Sequence, residues 1–214
     1  MTLVVATRNA GKVEEIRAAL TGLAVDLVSS AEILGDAPPI EETGETFQEN
    51  ATIKARAVAE ATQLVSLADD SGLEVDALDG KPGVRSARYS GEDATDAENN
   101  AALLTALASI DARKARFRCV MALVDPFGES APVLAEGTCE GTIAHAGRGT
   151  GGFGYDPLFV VDGMDKTFAE LTPGEKLELS HRGKALRSMR LEIEQLIRTR
   201  LEEAALVLNK RGES

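Results

Sequence analysis

Short apolar runs and segments with helical spacing alternate in an irregular order, and this order constrains the fold most. The run Leu3–Ala6 precedes a segment, residues 13–20, with apolar residues three to four positions apart, which predicts a strand and then a helix. Two longer runs, residues 115–125 and 133–144, flank the turn PFGES and predict a hairpin. Hairpins beside strand–helix crossovers favour an α/β fold, with a mixed central sheet flanked by helices.

Several helix ends are marked in the sequence. A threonine followed three residues later by a glutamate predicts a capped helix start in two places, Thr46 with Glu49 and Thr95 with Glu98. Thr172 before Pro173 predicts a third start. Ser180 is expected to cap a last helix from about residue 182 to 206, with residues 207–214 frayed. The 214 residues contain no repeat or low-complexity linker, so we expect one domain, 1–214.

Net charge and hydropathy limit the partners. The formal net charge is −12, without the basic footprint of a nucleic-acid-binding protein. No stretch approaches the roughly 18 apolar residues that span a membrane, and the N-terminus lacks the pattern of a signal peptide. We therefore expect a cytoplasmic protein that binds neither nucleic acid nor membrane. An acidic chain that binds an anion needs local cations or a metal ion.

The stretch LADDSGLEVDAL places two adjacent carboxylates, Asp69 and Asp70, after an apolar run. We expect strands on both sides of this pair, and the pair can form a turn closed by an Asx hydrogen bond. If the strand persists, the two side chains point to opposite faces and have different roles. One could then hold Mg²⁺ or position water, with Glu41 or Glu42 as a further ligand.

Two lysines occupy helical positions suited to an anion. Lys12 follows the N-cap candidate Asn9 in the first helical turn, where the helix dipole disfavours a cation, so that it suggests a bound anion. Asn50 and Lys54 share one helix face, and the lysine can reach a phosphate. A solvated surface lysine and a snorkelling lysine are the alternatives.

The segment GRGTGGFG matches the spacing of dinucleotide-binding loops but is followed by a strand instead of a helix, which excludes a Rossmann site. It lacks the terminal G-K-[ST] of a P-loop. It predicts a loop that approaches a ligand closely, with Phe153 available for stacking, or else a flexible turn. Lys176, His181 and Arg182 cluster near another helix start, whereas His145 is isolated and is expected to be structural or at the surface.

Six segments, in order, carry a resemblance to a known family: TRNAGK, EETGETFQENATIKA, ADDSGLEVDAL, PGVRSARYSG, GTGGFGYDPLF and EKLELSHRGKAL. Together they closely resemble the dITP/XTP pyrophosphatase family, from Leu3 to about Leu186. The resemblance implies an elongated, two-lobed α/β fold with a substrate cleft, a homodimer and dependence on Mg²⁺. It implies hydrolysis of ITP, dITP and XTP to the nucleoside monophosphate and pyrophosphate.

The resemblance also implies a set of site residues. The triphosphate loop falls on Thr7, Arg8, Asn9, Ala10, Gly11 and Lys12. Asp70 would be the general base and a metal ligand, Glu41 the second metal ligand, and Ser71 a substrate contact. Lys12 and Lys54 would hold the phosphate chain for catalysis, with Asn50 beside them. The rest of the nucleotide site falls on Phe153, Gly154, Tyr155, Asp156, Lys176, His181 and Arg182.

Water would attack the α-phosphorus, and donors from His181 and Arg182 would pair with the 6-oxo group of the purine. Two alternatives remain open: a Maf-like pyrophosphatase for other modified nucleotides, and a nucleotide-binding sensor without turnover. An RNA-binding α/β domain is disfavoured by the acidic charge.

Overall fold

In the residues that the structure describes, 1–35, 37–128 and 131–212, a computed structural model shows six strands in one sheet. They are β1 (Thr2–Val5), β2 (Asp26–Ser29), β3 (Val65–Val75), β4 (Lys114–Val124), β5 (Val133–Ile143) and β6 (Phe159–Val161). Their order across the sheet is β2-β1-β3-β4-β5-β6. β1 runs parallel to β2 and β3, and the later pairs are antiparallel. The predicted mixed sheet and the predicted β4–β5 hairpin are confirmed; residues 129 and 130 of its turn lie outside the described residues.

Helices flank the sheet. They are α1 (Ala10–Ala19), α2 (Ser30–Leu34), α3 (Phe47–Thr62), α4 (Asp96–Ala106), α5 (Pro173–Leu179) and α6 (His181–Gly212). The helix starts predicted at Thr46, Thr95 and Thr172 are confirmed, and each has a capping box. The hydroxyl of Ser180 accepts a hydrogen bond from the backbone N–H of Gly183 at 3.0 Å, as expected for the cap of α6.

The last helix is longer than the sequence predicted. α6 continues beyond residue 206 to Gly212, because neither glycine nor proline interrupts the chain between Lys184 and Arg211. The final two residues, 213 and 214, lie outside the described part of the chain. None of the helices in that part has both the length and the apolar content needed to cross a lipid bilayer.

β3 passes straight through the carboxylate pair, where the sequence predicted two strands and an intervening turn. Antiparallel pairing with β4 continues without interruption from Ser66 to Val75. At Gly72 the carbonyl oxygen of Gly83 approaches so closely that an added Cβ would lie 2.3 Å from it. The glycine therefore serves a close approach between β3 and a neighbouring segment, and Asp69 and Asp70 lie inside a strand.

The long strands join two halves of the molecule. One half has a core on each face of the sheet, the first under α1 and α6 around Leu67 and the second under α3 around Ala68. The other half has its own core around Leu73 and Phe117. Residues 69–72 of β3 lie between these cores, and this junction positions the cleft.

Candidate active site

Two connected cavities lie at the junction of the two halves. The larger has a volume of about 290 Å³ and extends from the loop after β1 towards α3. The smaller has a volume of about 120 Å³ and lies between the glycine-rich loop and the start of α6. Asn9, Lys12, Ser71 and Ala87 line both cavities, so the two form one cleft.

The loop after β1 forms one wall of this cleft. Oδ1 of Asn9 accepts a hydrogen bond from the backbone N–H of Lys12 at 3.0 Å, which confirms Asn9 as the N-cap of α1. Four of the expected loop residues line the larger cavity: Thr7, Arg8, Asn9 and Lys12. Ala10 and Gly11 form the first turn of α1 and line neither cavity. A Cβ on Gly11 would lie 2.7 Å from Cδ1 of Phe153, so only glycine leaves room for that ring.

β3 sends Asp69 and Asp70 to opposite faces of the sheet, because side chains alternate along a strand. Leu67, two residues before Asp69, packs in the core under α1 and α6. Ala68, two residues before Asp70, packs in the core under α3. The two carboxylates therefore meet different partners, as the sequence predicted for an unbroken strand.

Asp70 faces α3 and the loop before it. Its Oδ1 accepts a hydrogen bond from the Lys54 ammonium at 3.1 Å, and the same ammonium lies 2.8 Å from Oε1 of Glu42. Oδ2 of Asp70 is buried and, among the described residues, has no hydrogen-bond partner. Burial raises the pKa of Asp70; Lys54 opposes this rise and the Glu42 carboxylate adds to it. Asp70 therefore keeps one oxygen available to a ligand.

Of the two adjacent glutamates, Glu42 reaches the Lys54 ammonium that also binds Asp70, whereas the resemblance implied Glu41 as the second metal ligand. Which of the two binds a metal stays a prediction. Glu42 lines the larger cavity and pairs with Lys54. Glu41 is exposed and lines neither cavity. The physical reason is the attraction of the half-buried Glu42 carboxylate to the Lys54 ammonium, which directs its neighbour away from the cleft.

Asn50 is fully buried and lines neither cavity. Its Oδ1 accepts a hydrogen bond from the backbone N–H of Gly44 at 2.8 Å. Gly44 lies two residues after Glu42, so Asn50 fixes the loop that carries this carboxylate. The structure thus places Asn50 behind the cleft wall, where the sequence had suggested a contact with the substrate.

Asp69, on the other face, is surrounded by donors. Its Oδ2 lies 3.1 Å from the Lys12 ammonium and accepts hydrogen bonds from Nε and Nη2 of Arg182 and from the Ser71 hydroxyl, each at 3.1 Å. Burial would raise the pKa of Asp69, but the charges of Lys12 and Arg182 outweigh it and hold the pKa far below its ordinary value. Asp69 therefore stays ionised and fixes three side chains of the cleft wall.

Cations lie against the Phe153 ring in the smaller cavity. The Phe153 ring centroid lies 4.6 Å from the Lys176 ammonium and 5.5 Å from Cζ of Arg182. Glu15 of α1 holds both cations, with Oε1 2.7 Å from Lys176 and Oε2 2.5 Å from Nη1 of Arg182. Such a ring, backed by fixed cations, offers a stacking surface to a planar, electron-rich ligand.

The glycine-rich loop is fixed on both sides of Phe153. Oδ2 of Asp156 accepts hydrogen bonds from the backbone N–H of Phe153 at 2.9 Å and from Lys176 at 2.6 Å. Gly154, at φ 61°, donates its N–H to Oδ2 of Asp96 at 2.6 Å. The hydroxyl of buried Tyr155 donates to the Ser86 carbonyl at 2.9 Å. The loop therefore has a defined shape, in contrast to a flexible turn.

His181 lines the smaller cavity as a neutral imidazole. Its ring stacks on Phe117 with centroids 4.6 Å apart and an interplanar angle of 10°. Burial, and then the charges of Arg182 and Lys176, lower the pKa of His181 well below its ordinary value. Nδ1 is buried without a hydrogen-bond partner in the part of the chain that the structure describes. A neutral imidazole has one donor and one acceptor for a polar group on a planar ligand.

The sequence analysis did not assign three of the residues that organise the cleft: Asp69, Glu15 and Asp96. Glu15 lies three residues after Lys12 on α1, so helical spacing could have placed both on one face. Asp69 received no role of its own, because a turn was one of the expected structures for the Asp69–Asp70 pair. Asp96 carries no signal beyond its place in the first turn of α4.

A divalent metal ion could be held by Asp70 and Glu42. Their carboxylates converge on one ammonium, and the buried Oδ2 of Asp70 has no partner within the described ranges. No group of three or more histidine, cysteine or acidic side chains that could hold a metal is found in these ranges. Two carboxylates fit Mg²⁺, which proteins commonly bind with one or two carboxylates plus substrate phosphates.

Comparisons with known proteins give a consistent result. A model of the Ham1 family matches residues 3–192. The chain is 52% identical over 191 residues to a protein named dITP/XTP pyrophosphatase from Exiguobacterium sibiricum, covering 88% of this chain and 95% of that protein. It is 55% identical over 186 residues to one of the same name from Geobacter sulfurreducens, covering 86% of this chain and 92% of that protein.

Solved structures of similar proteins share the fold. A HAM1 protein from Coxiella burnetii superposes with a TM-score of 0.83 at 45% identity, covering 91% of this chain and 99% of that one. A nucleoside-triphosphatase / dITP/XTP pyrophosphatase from Mycobacterium abscessus superposes with a TM-score of 0.71 at 46% identity, covering 88% of this chain and 98% of that one.

Proposed function

Because the chain belongs to the Ham1 family, we propose that it hydrolyses the non-standard purine nucleoside triphosphates ITP, dITP and XTP. The products would be the nucleoside monophosphate and pyrophosphate, which keeps deaminated purines out of DNA and RNA. The observation that carries this proposal is Oδ2 of Asp70, which is buried beside the Lys54 ammonium and has no hydrogen-bond partner among the described residues, in a cavity that joins a pocket lined by aromatic rings. The names of similar proteins support the same reaction.

The two cavities suggest how the substrate lies. The smaller one, with Phe153 and His181, suits a purine, and the larger one, with Lys54 and Asp70, suits a phosphate chain. Residues shared by both cavities, among them Lys12 and Ser71, would contact the first phosphate.

Mg²⁺ dependence is part of the proposal, with Asp70 and Glu42 as the protein ligands. The ion would neutralise charge on the phosphate oxygens as the reaction proceeds. Its two candidate ligands already share the Lys54 ammonium. The lysine therefore balances part of the carboxylate charge that gathers there.

Asp70 would orient the attacking water and take its proton at Oδ2. A carboxylate held in place by Lys54 can position the water, and this positioning is part of general base catalysis. Water attacks the α-phosphorus, a P–O bond forms, and the bond to the β-phosphate oxygen breaks to release pyrophosphate. Lys12, fixed by Asp69, would hold the α-phosphate during this step.

The purine would be selected by hydrogen bonds in the smaller cavity. A 6-oxo group accepts hydrogen bonds, whereas the 6-amino group of adenine donates, so a donor from His181 or Arg182 discriminates between them. The neutral state of His181 matters here, because its protonation site can adjust to the base. An unpaired polar group in such a site costs about 1–3 kcal/mol.

A panel of nucleoside triphosphates, each incubated with the protein and Mg²⁺, tests the reaction. We expect pyrophosphate and monophosphate from dITP, ITP and XTP, and much slower release from dATP. Orthophosphate as the first product would contradict attack at the α-phosphorus. Binding of dITP without any release would favour the sensor, and preference for modified pyrimidines would favour the Maf-like alternative.

A homodimer and a cytoplasmic location belong to the same proposal, and the resemblance to the family supports both. Sedimentation equilibrium at micromolar protein concentration would give twice the 22.6 kDa chain mass for a dimer. Fractionation of cells that express the tagged chain would test the location.

A further inference from the structure

Most cations of the cleft are already paired with buried carboxylates. Lys12 pairs with Asp69, and Lys54 pairs with both Asp70 and Glu42. In the smaller cavity, Lys176 and Arg182 likewise have carboxylate partners. These pairs fix the side chains and compensate most of the positive charge that a triphosphate, with about four negative charges, would need. Two arginines also line the larger cavity: Arg8, which donates to the carbonyl oxygen of Ala37, and Arg88.

Arg88 differs from these cations. It ends the 3-10 helix Gly83–Arg88 and lines the larger cavity. Its side chain is 26% exposed, and its nearest carboxylate in the described residues is Glu92, 3.7 Å from Nε. That carboxylate already accepts a hydrogen bond from Arg85 at 2.9 Å. The guanidinium of Arg88 is thus a weakly paired cation at the edge of the cavity.

The position of Arg88 in the chain indicates which part of a ligand it meets. Ala87 lines both cavities, whereas Arg88 lines only the larger one. A nucleotide with its base in the smaller cavity and its first phosphate near Lys12 extends its remaining phosphates into the larger cavity. Those phosphates lie on the Arg88 side of the junction.

We propose that Arg88 binds the β- and γ-phosphates, which leave together as pyrophosphate. This inference rests on the proposed function, because it needs a triphosphate in the cleft. A guanidinium presents a planar fork that fits phosphate oxygens in two parallel hydrogen bonds. Negative charge grows on the pyrophosphate as the bond to the α-phosphorus breaks, so Arg88 stabilises the transition state more than the ground state.

The variant Arg88→Gln tests this role, with Arg85→Gln as the matched control. Arg85 belongs to the same 3-10 helix and contacts the same Glu92, but its side chain is 59% exposed and lines a different cavity. We expect Arg88→Gln to lower kcat/KM for dITP by about tenfold to hundredfold, the range for a lost hydrogen bond to a charged group. Arg85→Gln should stay within about twofold of the wild type.

Product inhibition separates a contact with pyrophosphate from a general defect. Arg88→Gln should raise the inhibition constant of pyrophosphate about tenfold or more and leave that of dIMP within about twofold. Arg88→Lys should recover part of the loss, because it keeps the charge without the fork. Equal weakening of pyrophosphate and dIMP, or equal effects of Arg88→Gln and Arg85→Gln, would overturn the inference.

The wild-type protein distinguishes this failure from a failure of the proposed function. If the wild type releases pyrophosphate from dITP and Arg88→Gln does so at the same kcat/KM, only the role of Arg88 is wrong. If the wild type releases none, the proposed function is wrong and the inference falls with it.

Discussion

Asp69 and Asp70 are adjacent residues of the same type in one strand, yet their surroundings differ in every respect that matters for chemistry. Asp69 has one oxygen among Lys12, Arg182 and Ser71. Asp70 has one cation, Lys54, which it shares with a second carboxylate. The pKa of Asp69 is lowered and that of Asp70 is raised, although burial acts in the same direction on both.

The comparison shows that opposite faces of one strand can serve two different roles, one in positioning side chains and one in reactivity. On the face towards α1 and α6, surplus cations fix the carboxylate and are fixed by it, so Asp69 acts through the positions of Lys12 and Arg182. On the face towards α3, competing carboxylates leave Asp70 with a free oxygen and a raised pKa. The first arrangement favours a rigid wall, and the second favours reactivity.

Replacement of the reactive carboxylate gives the largest expected effect. Asp70→Asn should lower kcat for dITP by about 10³-fold or more, because it removes the proton acceptor and an anionic ligand for the metal. Its free energy of unfolding should change by less than about 1 kcal/mol, since the amide oxygen still accepts from Lys54, Lys54 keeps Glu42 as a partner, and the Asp70 charge, whose burial is unfavourable, is removed. Pyrophosphate release and urea unfolding measure the two quantities. Near wild-type turnover would contradict the role given to Asp70.

Replacement of Asp69, the carboxylate held by Lys12 and Arg182, should mainly lower the free energy of unfolding. Asp69→Asn leaves the buried Arg182 guanidinium with Glu15 as its only carboxylate partner among the described residues. Removal of one partner from a buried pair costs about 3–5 kcal/mol, and we expect about 3 kcal/mol because Glu15 remains. Urea unfolding, with Asp70→Asn as the control, gives the comparison directly. If Asp69→Asn and Asp70→Asn had equal free energies of unfolding, Asp69 would not stabilise its face of the sheet more than Asp70 stabilises the other.

The sequence predicted much of this architecture because local signals carry it. Capping boxes at Thr46, Thr95 and Thr172 and the long apolar runs of the hairpin depend on neighbouring residues alone. The strand through Asp69 and Asp70 was interrupted in the prediction because adjacent aspartates and a glycine favour a turn. Pairing with β4, a partner some 50 residues away, overrides that preference.

The site could be predicted only in part, for a similar reason. The glycine-rich loop and the cluster at the start of α6 were recognised from their composition. The contact between Glu15 and Lys176, by contrast, joins α1 to α5 across most of the chain, and no local pattern specifies it. Likewise, the choice between Glu41 and Glu42 depends on which one meets Lys54, and this is a property of the folded loop.

A smaller effect is expected at the second acidic position on the Asp70 face. Glu42→Gln should raise the Mg²⁺ concentration for half-maximal activity about tenfold or more, because it removes one of two anionic ligands near the phosphates. Glu41→Gln is the matched control, since Glu41 is exposed and lines neither cavity. A Mg²⁺ titration of dITP hydrolysis measures both. If Glu41→Gln raised the required Mg²⁺ concentration more than Glu42→Gln, Glu41 would be the metal ligand and not Glu42.

The smallest effect concerns His181, which lies beside Arg182 on the Asp69 face. Its pKa in the folded chain is far below the unfolded value of about 6.5. As the pH falls below that value, the unfolded chain binds a proton that the folded chain does not, so stability decreases. The free energy of unfolding of the wild type, relative to His181→Gln, should fall by about 1.4 kcal/mol per pH unit in this range. Urea unfolding of the wild type and of His181→Gln between pH 6.5 and 5 measures this difference in slope. An unchanged slope in His181→Gln would mean that the imidazole is protonated in the folded protein, and that the cations gathered around Asp69 do not keep it neutral.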